Sequence, residues 1–465
     1  MTTCAVILAA GLGKRMKSAT PKVVHSLFNK PIVTYPVEAV KAVAGVSKIV
    51  LVIGRHSEER LKDIFKEDPM VSFAYQTHLL GTADALKSGL GTLDGGQFDY
   101  TLVMTADAPL IRGETLQGLI DRHITGGNAV TVLSFVSSNP SSYGRVMRNP
   151  GGTIKCIIEN PDASDEERKI NEVNSGIYVF SRDALPLLDK IAVNAKKGEF
   201  YLTDIVSIAN EHGLKVEAQK MLDEDEFIGI NSRAELLMAL NAMKLRTNRH
   251  LMAEGVTLMD ENTTLISPGV AIGRDTIIYP NVILEGKTQI GEGCVIYSNV
   301  RIVNSTIEAD VVVKDSTLIE DSAVQSGAAV GPFAHLRPGA VIGKKAKVGN
   351  FVEIKKSTLG YNTKASHLSY IGDASVGDNV NIGAGTITCN YDGVNKFKTV
   401  IEDGVFIGSD SQLVAPVTIG KGAFVGAGST ITQDVPSDAL ALSRVRQRTI
   451  LDWVKAKFST EKHKT

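Results

Sequence analysis

The sequence predicts an α/β domain, a connecting helix and an all-β parallel β-helix, in that order along the chain. Short aliphatic runs alternate with helical stretches up to about residue 230. The next segment, 232–254, contains no Gly or Pro and is rich in strong helix formers. From about residue 265, pairs of an aliphatic residue and Gly recur at multiples of six residues. The predicted boundaries are therefore 1–231, 232–254 and 255–465.

The first domain carries short strands made almost entirely of aliphatic residues. These runs are 5–8, 48–53 and 100–104, and helical stretches such as 32–44 and 83–90 separate them. Continuous apolar strands that alternate with helices are typical of a parallel sheet covered on both faces. The pattern therefore predicts a Rossmann-like α/β domain.

The connecting helix has a clear start signal. Ser232 is placed to cap its first turn, and Glu235 stands three residues later, which is the spacing of a capping box.

The repeat in the last part of the chain has a period of six residues, which is typical of a parallel β-helix. Three short strands make one triangular coil of about eighteen residues, and the aliphatic residues point inward. Residues 265–435 would give about nine coils and a prism about 45 Å long. The register slips at 359, at 371 and after 382, and the polar segment 389–396 does not fit the repeat. We expect that segment to form a loop on the working face.

Composition and charge exclude several classes of protein. The net charge of −1 gives no global attraction for nucleic acid or an acidic membrane. No apolar run approaches the ~18 residues that span a bilayer. The cysteines form no CxxC pair, which argues against a disulfide framework or a Cys-rich zinc site and predicts a cytoplasmic protein. They are Cys4, Cys156, Cys294 and Cys389.

A glycine-rich loop follows the first strand directly. It runs from Leu8 to Gly13, and Lys14, Arg15 and Pro21-Lys22 come next. Glycines let backbone N–H groups approach phosphate oxygens, and the three cations add positive charge. Gly-x-Gly alone would also suit a dinucleotide fingerprint or a tight turn, but no Walker sequence is present. The full string predicts a triphosphate cradle.

This string, together with the hexapeptide half, resembles the bifunctional family of N-acetylglucosamine-1-phosphate uridyltransferases and glucosamine-1-phosphate acetyltransferases. The resemblance covers residue 3 to about residue 446. It implies a left-handed β-helix, acetyl transfer from acetyl-CoA to glucosamine 1-phosphate, and uridyl transfer from UTP to N-acetylglucosamine 1-phosphate. The product, UDP-N-acetylglucosamine, serves peptidoglycan and lipopolysaccharide synthesis. It also implies a homotrimer with acyl sites between neighbours.

The resemblance implies specific residues for uridyl transfer. Lys22 and Arg15 would be catalytic, and Asp107 and Asn231 would bind Mg²⁺, which prefers oxygen ligands. Gln76 would read the uracil edge, since an amide can both donate and accept. The substrate contacts implied are Leu8, Ala9, Ala10, Gly11, Gln76, Gly81, Thr82, Gly144, Glu159, Asn174 and Asn231.

A second set of residues is implied for acetyl transfer. His367 would be the general base, because an imidazole ordinarily titrates near ~6.5. The sugar phosphate would meet Arg337, Lys355, Tyr370 and Asn381. The acetyl-CoA site would include Ala384, Asn390, Tyr391, Ser409, Ala427 and Arg444.

Two positions depart from the family pattern. Lys14 stands where the family usually has Thr or Ser, and Thr105-Ala106 stands where it often has Tyr-Gly. The first change adds positive charge near the phosphates, and the second removes an aromatic side chain beside the metal position.

Two other functions remain open at this point. The β-helix could be a structural or regulatory part of a nucleotidyltransferase with one activity. The chain could also be a non-enzymatic repeat scaffold. The polar residues grouped around His367 argue against the first, and the glycine-rich loop with Asp107 argues against the second.

Overall fold

The structure, a computed structural model, describes residues 2–93, 98–140 and 143–459. The chain divides into two compact units, Met1–Met243 and Lys244–Thr465. Each unit is described by itself. In the described part of the chain, no helix is both long enough and apolar enough to cross a membrane.

The first unit alternates strands and helices, as the sequence predicts. Its strands are β1 Thr3–Leu8, β2 Ser26–Leu27, β3 Lys30–Pro31, β4 Val46–Ile53, β5 Val71–Tyr75, β6 Tyr100–Thr105, β7 Val130–Val136, β8 Arg145–Arg148, β9 Ile154–Ile158, β10 Glu172–Ser181 and β11 Val216–Met221. Its helices are α1 Thr34–Lys41, α2 Glu58–Phe65, α3 Thr82–Leu90, α4 Gly113–Gly126, α5 Asp165–Arg168 and α6 Ile205–Glu211. Helix α7, Arg233–Ala253, continues from this unit into the next. Short 3₁₀ helices lie at Lys14–Met16, Lys22–Val24, Arg55–Ser57, Arg182–Lys190, Leu202–Asp204 and Glu224–Phe227.

The main sheet of the first unit has the order β11-β7-β10-β6-β1-β4-β5. Strand β1 is parallel to β4 and β6, as predicted. The sheet also contains strands that the sequence did not predict to be antiparallel: β10 runs antiparallel to both β6 and β7. Strand β1 is buried on both faces: Ala5 and Ile7 join one core and Val6 joins the other. This two-sided burial explains why β1 is a continuous apolar run.

Helix α7 begins with the predicted cap in a modified form. The N–H group of Glu235 donates to Ser232 Oγ at 3.3 Å. The Glu235 carboxylate accepts from the Asn231 N–H group and from Ser232 Oγ, both at 2.9 Å. The reciprocal bond therefore reaches Asn231 rather than the backbone of Ser232, so the cap also holds Asn231.

The second unit is a parallel β-helix with three faces, which is consistent with the left-handed form. Strands of the first face are Thr257–Leu258, Ile277–Ile278, Val295–Ile296, Val312–Val313, Ala329–Val330, Lys347–Asn350, Lys364–His367, Asn381–Ile382, Phe406–Ile407, Phe424–Val425 and Leu440–Ala441. Strands of the second face are Leu265–Ile266, Ile283–Glu285, Arg301–Val303, Leu318–Glu320, His335–Leu336, Glu353–Lys355, Tyr370–Gly372, Ile387–Cys389, Gln412–Val414 and Thr430–Ile431. Strands of the third face are Ala271–Ile272, Gln289–Ile290, Thr306–Ile307, Ala323–Val324, Val341–Ile342, Thr358–Leu359, Ala374–Val376, Thr399–Ile401 and Val417–Ile419. Helix α8, Trp453–Ser459, follows them. The β-helix therefore extends beyond the predicted limits of 265 and 435 at both ends.

Buried aliphatic residues form one continuous core inside the three faces, as predicted. Along the first face they stack as Ile278, Ile296, Val313, Val330 and Val348. The predicted slip at 359 is confirmed, because Leu359 pairs with Ile342, 17 residues earlier. The slip predicted at 371 is wrong by one strand: Ala365 and Ile371 are six residues apart, and the next five-residue step is Ile371–Val376.

Between Ile278 and Ile431, all variation in coil length falls at the second corner, where the second face turns into the third. The inward residues across it are five apart at Ile302–Ile307 and Ile319–Val324, but six apart at Leu284–Ile290. The polar segment predicted to be a loop also leaves the coil there, between Cys389 and Thr399. Over the same residues the first corner, between the first and second faces, keeps a six-residue spacing, as in Ala365–Ile371, whereas the first coil has eight residues there, from Leu258 to Ile266.

Glycine follows the inward aliphatic residue because successive coils approach closely. A Cβ on Gly291 would lie 2.6 Å from the backbone nitrogen of Ala309, and one on Gly383 would lie 2.5 Å from that of Ser409. No side chain fits at such distances. The close stacking of successive coils therefore explains why glycine follows the aliphatic residue in the sequence.

His123 is a fully buried polar residue of α4. Its ring nitrogens contact Thr131 Oγ1 at 2.8 Å and Ser181 Oγ at 3.0 Å. Burial lowers the pKa of His123 to about 4. Because the unfolded chain binds a proton at ~6.5, stability conferred by the neutral ring is lost as the pH falls from ~6.5 toward about 4.

We predict that His123→Gln, which keeps polar contacts but cannot titrate, reduces the acid sensitivity of the first unit. The wild type should lose about 1 kcal/mol more than the variant between about pH 7.5 and about pH 5.5. Calorimetric unfolding at the two pH values measures this difference. His212→Gln, at an exposed position, is the matched control. Equal pH dependence in wild type and His123→Gln would contradict the prediction.

Candidate active sites

A cavity of about 650 Å³ opens where β1, β5 and β6 end. The chain passes from β1 to β4 on one side, whereas β6 lies on the other side of β1. Ligands bind at such switch points in open α/β sheets. The sequence-predicted residues that line the cavity are Leu8, Ala9, Ala10, Gly11, Lys22, Gln76, Gly81, Thr82, Asp107 and Glu159.

Lys22, Asp107 and Asn231 form one polar cluster at this cavity. Lys22 Nζ pairs with the Asp107 carboxylate and donates to Asn231 Oδ1 at 3.0 Å. The side chains of Lys22 and Asp107 are only 11% and 15% exposed. The Ile230 N–H group donates to the Asp107 carbonyl at 2.9 Å, which ties the two chain segments together.

The charges in this cluster compensate for burial. Burial raises the pKa of Asp107, but the charge and hydrogen bond of Lys22 outweigh burial and hold that pKa below its ordinary value. Asp107 and Asn231 therefore direct a carboxylate oxygen and an amide oxygen at one cationic atom. This donor set fits Mg²⁺, provided that phosphates and water supply the other ligands. Within the described ranges, no group of three or more His, Cys, Asp or Glu residues could hold a metal.

Gln76 differs from its predicted role in one respect. Its side-chain nitrogen donates to the Gly81 carbonyl at 3.0 Å and to Asp84 Oδ2 at 2.8 Å. Both amide hydrogens are therefore used within the protein. Only the amide oxygen remains available to a nucleobase. It can accept a hydrogen bond from a ring N–H group such as that of uracil.

Gly81 precedes α3 and has a φ of 107°. A Cβ there would lie 2.6 Å from the Phe200 carbonyl oxygen, so only glycine fits. Thr82 Oγ1 accepts from the Leu202 N–H group at 3.0 Å, and the Phe200 N–H group donates to the Leu80 carbonyl at 2.7 Å. These bonds fix the loop that carries Gly81 and Thr82.

Glu159, Gly144 and Asn174 lie together. A Cβ on Gly144 would lie 3.4 Å from Glu159 Oε1, and the Asn174 N–H group donates to the Gly144 carbonyl at 2.9 Å. Burial raises the pKa of Glu159, and the nearby carboxylates of Asp204 and Asp162 act in the same direction. Gly144 and Asn174 themselves are not among the cavity-lining residues.

Two polar lining residues were missed from the sequence. Glu199 and Tyr201 border the cavity, and neighbouring Thr203 donates to Glu159 Oε1 at 3.2 Å. Their stretch lies far along the chain from the other lining residues and is joined to the loop that carries Gly81 through the Leu80–Phe200 contact. No spacing in the sequence indicates that contact.

Arg15 and Lys14 occupy one exposed 3₁₀ turn, Lys14–Met16, but face different surroundings. Lys14 lines the cavity, whereas Arg15 does not. No hydrogen bond or ion pair of Arg15 occurs with any residue that the structure describes. Thr105 also lines the cavity, so one residue from each of the two departures from the family pattern faces it.

The predicted base and three of the predicted acetyl-CoA residues form a row along the first corner of the β-helix. His367, Ala384, Ser409 and Ala427 occupy the same position in four successive coils. Backbone bonds join them: the Asp410 N–H group donates to the Ala384 carbonyl at 2.7 Å. Arg444 extends the row by donating to the Ala427 carbonyl at 2.7 Å. We call these residues the first-corner row.

Three predicted sugar-phosphate residues lie together on the second face. Arg337 donates to Glu353 Oε1 at 2.7 Å, and Tyr370 pairs in register with Glu353. A Cβ on Gly372 would clash with the Tyr370 hydroxyl, so glycine makes room for the ring. Lys355 ends the same strand as Glu353. Asn381 is separate from this group, because it begins a strand of the first face.

The insertion 389–398 folds back over the second corner. Asn390 Nδ2 donates to Asp373, and Tyr391 forms a β-bridge with Lys396. The ammonium group of Lys396 lies beside Lys355 and lowers its pKa, through hydrogen-bonding distance and charge repulsion. Lys396 thus joins Arg337 and Lys355 as a third cation, which the sequence analysis missed.

Comparison with known proteins agrees with this division of sites. Residues 4–225 match the nucleotidyl transferase family, and residues 269–304 and 398–433 match the bacterial transferase hexapeptide with six repeats. The bifunctional protein GlmU of Thermodesulfovibrio yellowstonii is 49% identical over 459 residues, which are 97% of this chain and 99% of that protein. The chain belongs to the GlmU family. Proteins of the same name from an Exiguobacterium species and Geobacter metallireducens are 48% and 46% identical, over 96% and 95% of this chain and 98% and 96% of their own.

As a member of the GlmU family, the chain is a bifunctional transferase. It transfers an acetyl group from acetyl-CoA to glucosamine 1-phosphate and then a uridyl group from UTP to the product. The result is UDP-N-acetylglucosamine, which feeds cell-wall synthesis. The alternatives of one activity with a structural β-helix and of a repeat scaffold are therefore wrong.

Proposed function

We propose that the cavity of the first unit performs uridyl transfer and that the first-corner row with the second face performs acetyl transfer. The observation that carries this proposal is the separate grouping of the two residue sets. Lys22 and Asp107 line one cavity and Asn231 is bonded to Lys22, whereas His367 lies in the row that ends at Arg444. Two assays on the intact chain test it: pyrophosphate release from UTP, and thiol release from acetyl-CoA.

In the cavity, a phosphate oxygen of N-acetylglucosamine 1-phosphate attacks the α-phosphorus of UTP. A new P–O bond forms as the bond to pyrophosphate breaks. Lys22 neutralises charge on the phosphates, and the backbone of Ala9 to Gly11 supports them. The Gln76 amide oxygen accepts from the base, while Gly144, Glu159 and Asn174 hold the sugars. Catalysis here is mainly positioning and charge neutralisation.

We assign Mg²⁺ to Asp107 and Asn231. Their two oxygen atoms already share one cationic neighbour, Lys22 Nζ, which supports a cation position between them. When bound, Mg²⁺ would neutralise phosphate charge and orient the triphosphate. Lys22 would then turn from Asp107 toward the phosphates.

On the β-helix, the amine of glucosamine 1-phosphate attacks the thioester carbonyl of acetyl-CoA. A C–N bond forms, the C–S bond breaks, and the imidazole of His367 takes the amine proton. Arg337, Lys355 and Lys396 supply positive charge for the sugar phosphate. Tyr370 and Asn381 orient the sugar, and the first-corner row with Asn390 and Tyr391 holds acetyl-CoA.

We predict that the two activities separate by mutation. Asp107→Ala should reduce uridyl transfer at least about 100-fold and leave acetyl transfer intact, because the carboxylate at the cavity is lost. His367→Ala should reduce acetyl transfer about 10²- to 10⁴-fold and spare uridyl transfer. Each variant is the folding control for the other. If either change removes both activities from a folded protein, the two-site assignment is wrong.

We also assign Lys14 to the triphosphate, because it lines the cavity and Lys17 does not. Lys14→Ser restores the hydroxyl type expected at this position and should raise the KM for UTP about five- to tenfold, since one charge-assisted contact is lost. The kcat should change little. Lys17→Ser removes the same charge from the same turn and is the matched control. Equal KM values for UTP in the two variants would show that Lys14 does not contact the triphosphate.

The trimer is proposed from an apolar strip beside the first-corner row. Phe333, Phe351 and Leu368 occupy successive coils and are 53%, 55% and 61% exposed. The two phenylalanine rings stack with centroids 5.3 Å apart. All three residues have positive φ, which disfavours bulky side chains. An exposed apolar strip of this kind fits a second copy of the chain, which would cover it next to His367.

Phe351→Asp tests this interface, and we predict that it dissociates the oligomer. Aspartate accepts positive φ, so the coil should still form. Light scattering after size-exclusion chromatography should show monomers, with acetyl transfer lost and uridyl transfer retained. Leu222→Asp, at an exposed position of the first unit, should change neither. A trimer with full acetyl transfer would overturn the assignment.

A cytoplasmic location is also proposed. Cys4 and Cys294 are buried as free thiols, and the other two cysteines are unpaired as well, which supports a reducing compartment. Cell fractionation checks it.

A further inference from the structure

Asn350 is the residue of the β-helix that contacts the ring of His367. It ends the first-face strand Lys347–Asn350 and pairs in register with His367 one coil later. Its side-chain oxygen lies 2.6 Å from His367 Nδ1. Asn350 therefore occupies the same coil position as the first-corner row and precedes that row by one coil.

We infer that Asn350 is a positioning residue for His367, holding the tautomer in which Nδ1 carries the proton and Nε2 is free. The inference rests on the proposed role of His367 in acetyl transfer. An amide oxygen can only accept, so Nδ1 must donate to it. The lone pair that takes the proton is then on Nε2.

The other residues that the structure describes around His367 offer no hydrogen bond that would fix the tautomer of its ring. The imidazole is exposed, and in the described ranges no carboxylate bonds to it. On the next coil the same position is Ala384, whose side chain has no hydrogen-bonding atom. The charged residues of the two paired strands, Lys347 and Lys364, stand at the opposite strand ends. Without Asn350, the ring could rotate and populate both tautomers.

The corner geometry makes the contact possible. Phe351 and Leu368 follow the two residues and both have positive φ, so the chain turns sharply after each. The Leu368 N–H group donates to the Asn350 carbonyl at 3.0 Å. Ser369 Oγ donates to the His367 carbonyl at 2.8 Å. The backbone on both sides of the ring is therefore fixed, and the side-chain bond fixes the ring itself.

The hydrogen bond between Asn350 and His367 Nδ1 supports proton transfer during a simple acyl transfer. As the amine nitrogen forms its bond to the thioester carbonyl carbon, its proton passes to Nε2. The C–S bond then breaks, and the imidazolium returns the proton to the leaving thiolate. A fixed Nδ1–H group keeps Nε2 directed outward through both transfers, and the Asn350 oxygen stabilises the imidazolium between them.

Two variants of the full-length chain test the inference. Asn350→Leu removes the acceptor at similar size, and should lower the kcat of acetyl transfer about 10- to 100-fold with little change in KM. Asn350→Asp keeps the acceptor and adds a negative charge. It should retain the plateau rate and move the acidic limb of the kcat/KM profile to higher pH by about one unit, since a carboxylate favours the imidazolium.

Uridyl transfer by the same preparations monitors folding, and should be unchanged in both variants. Ser326→Ala removes a comparable contact between coils, Ser326 Oγ to Glu308 at 2.7 Å, and should leave acetyl transfer unaffected. Wild-type kcat in Asn350→Leu, or an unmoved acidic limb in Asn350→Asp, would overturn the inference. Failure of wild-type protein to acetylate would instead refute the proposed function of His367.

Discussion

The close stacking of backbone on backbone between successive coils is the constraint on which the acetyl site depends. Because no Cβ fits at Gly291 or Gly383, the strands on each face approach closely and hold their register. Residues at one position of the repeat therefore meet their counterparts in the next coil. The pairing of Asn350 with His367 and the row down to Ala427 follow from that register alone.

The first unit assembles its site by a different route. Strands β1, β5 and β6 deliver their carboxyl ends to one edge of the sheet, where Leu8, Gln76 and Asp107 face a common cavity. Asn231 comes from a separate segment and is held by the Ile230–Asp107 backbone bond and by the cap of α7. The antiparallel β10 places Asn174 beside Gly144. Long-range contacts, rather than a repeat, define this cavity.

Much of this arrangement could be predicted from the sequence because it depends on periodicity or on a contiguous motif. The six-residue period predicts the β-helix, and the run from Leu8 to Lys22 predicts the cavity wall. Tyr201 and Lys396 could not be found in this way, because loops that return from distant positions bring them in. The internal hydrogen bonds of Gln76 and the orientation of Lys14 depend on side-chain contacts that no spacing encodes. The contact between Asn350 and His367 could have been predicted from the repeat, because the two residues occupy the same position in successive coils. That prediction requires the slip at 359 to be placed at the second corner.

The first and second corners of the β-helix differ in how much their length varies from coil to coil. Between Ile278 and Ile431, every coil keeps six residues across the first corner, whereas the second corner varies from five residues to the whole insertion 389–398. Insertions and deletions can thus reshape the edge that carries Lys355 and Lys396 without rotating the edge that carries His367. One side of the prism is open to adaptation toward new acceptors, while the residues proposed for proton transfer on the other side stay in phase.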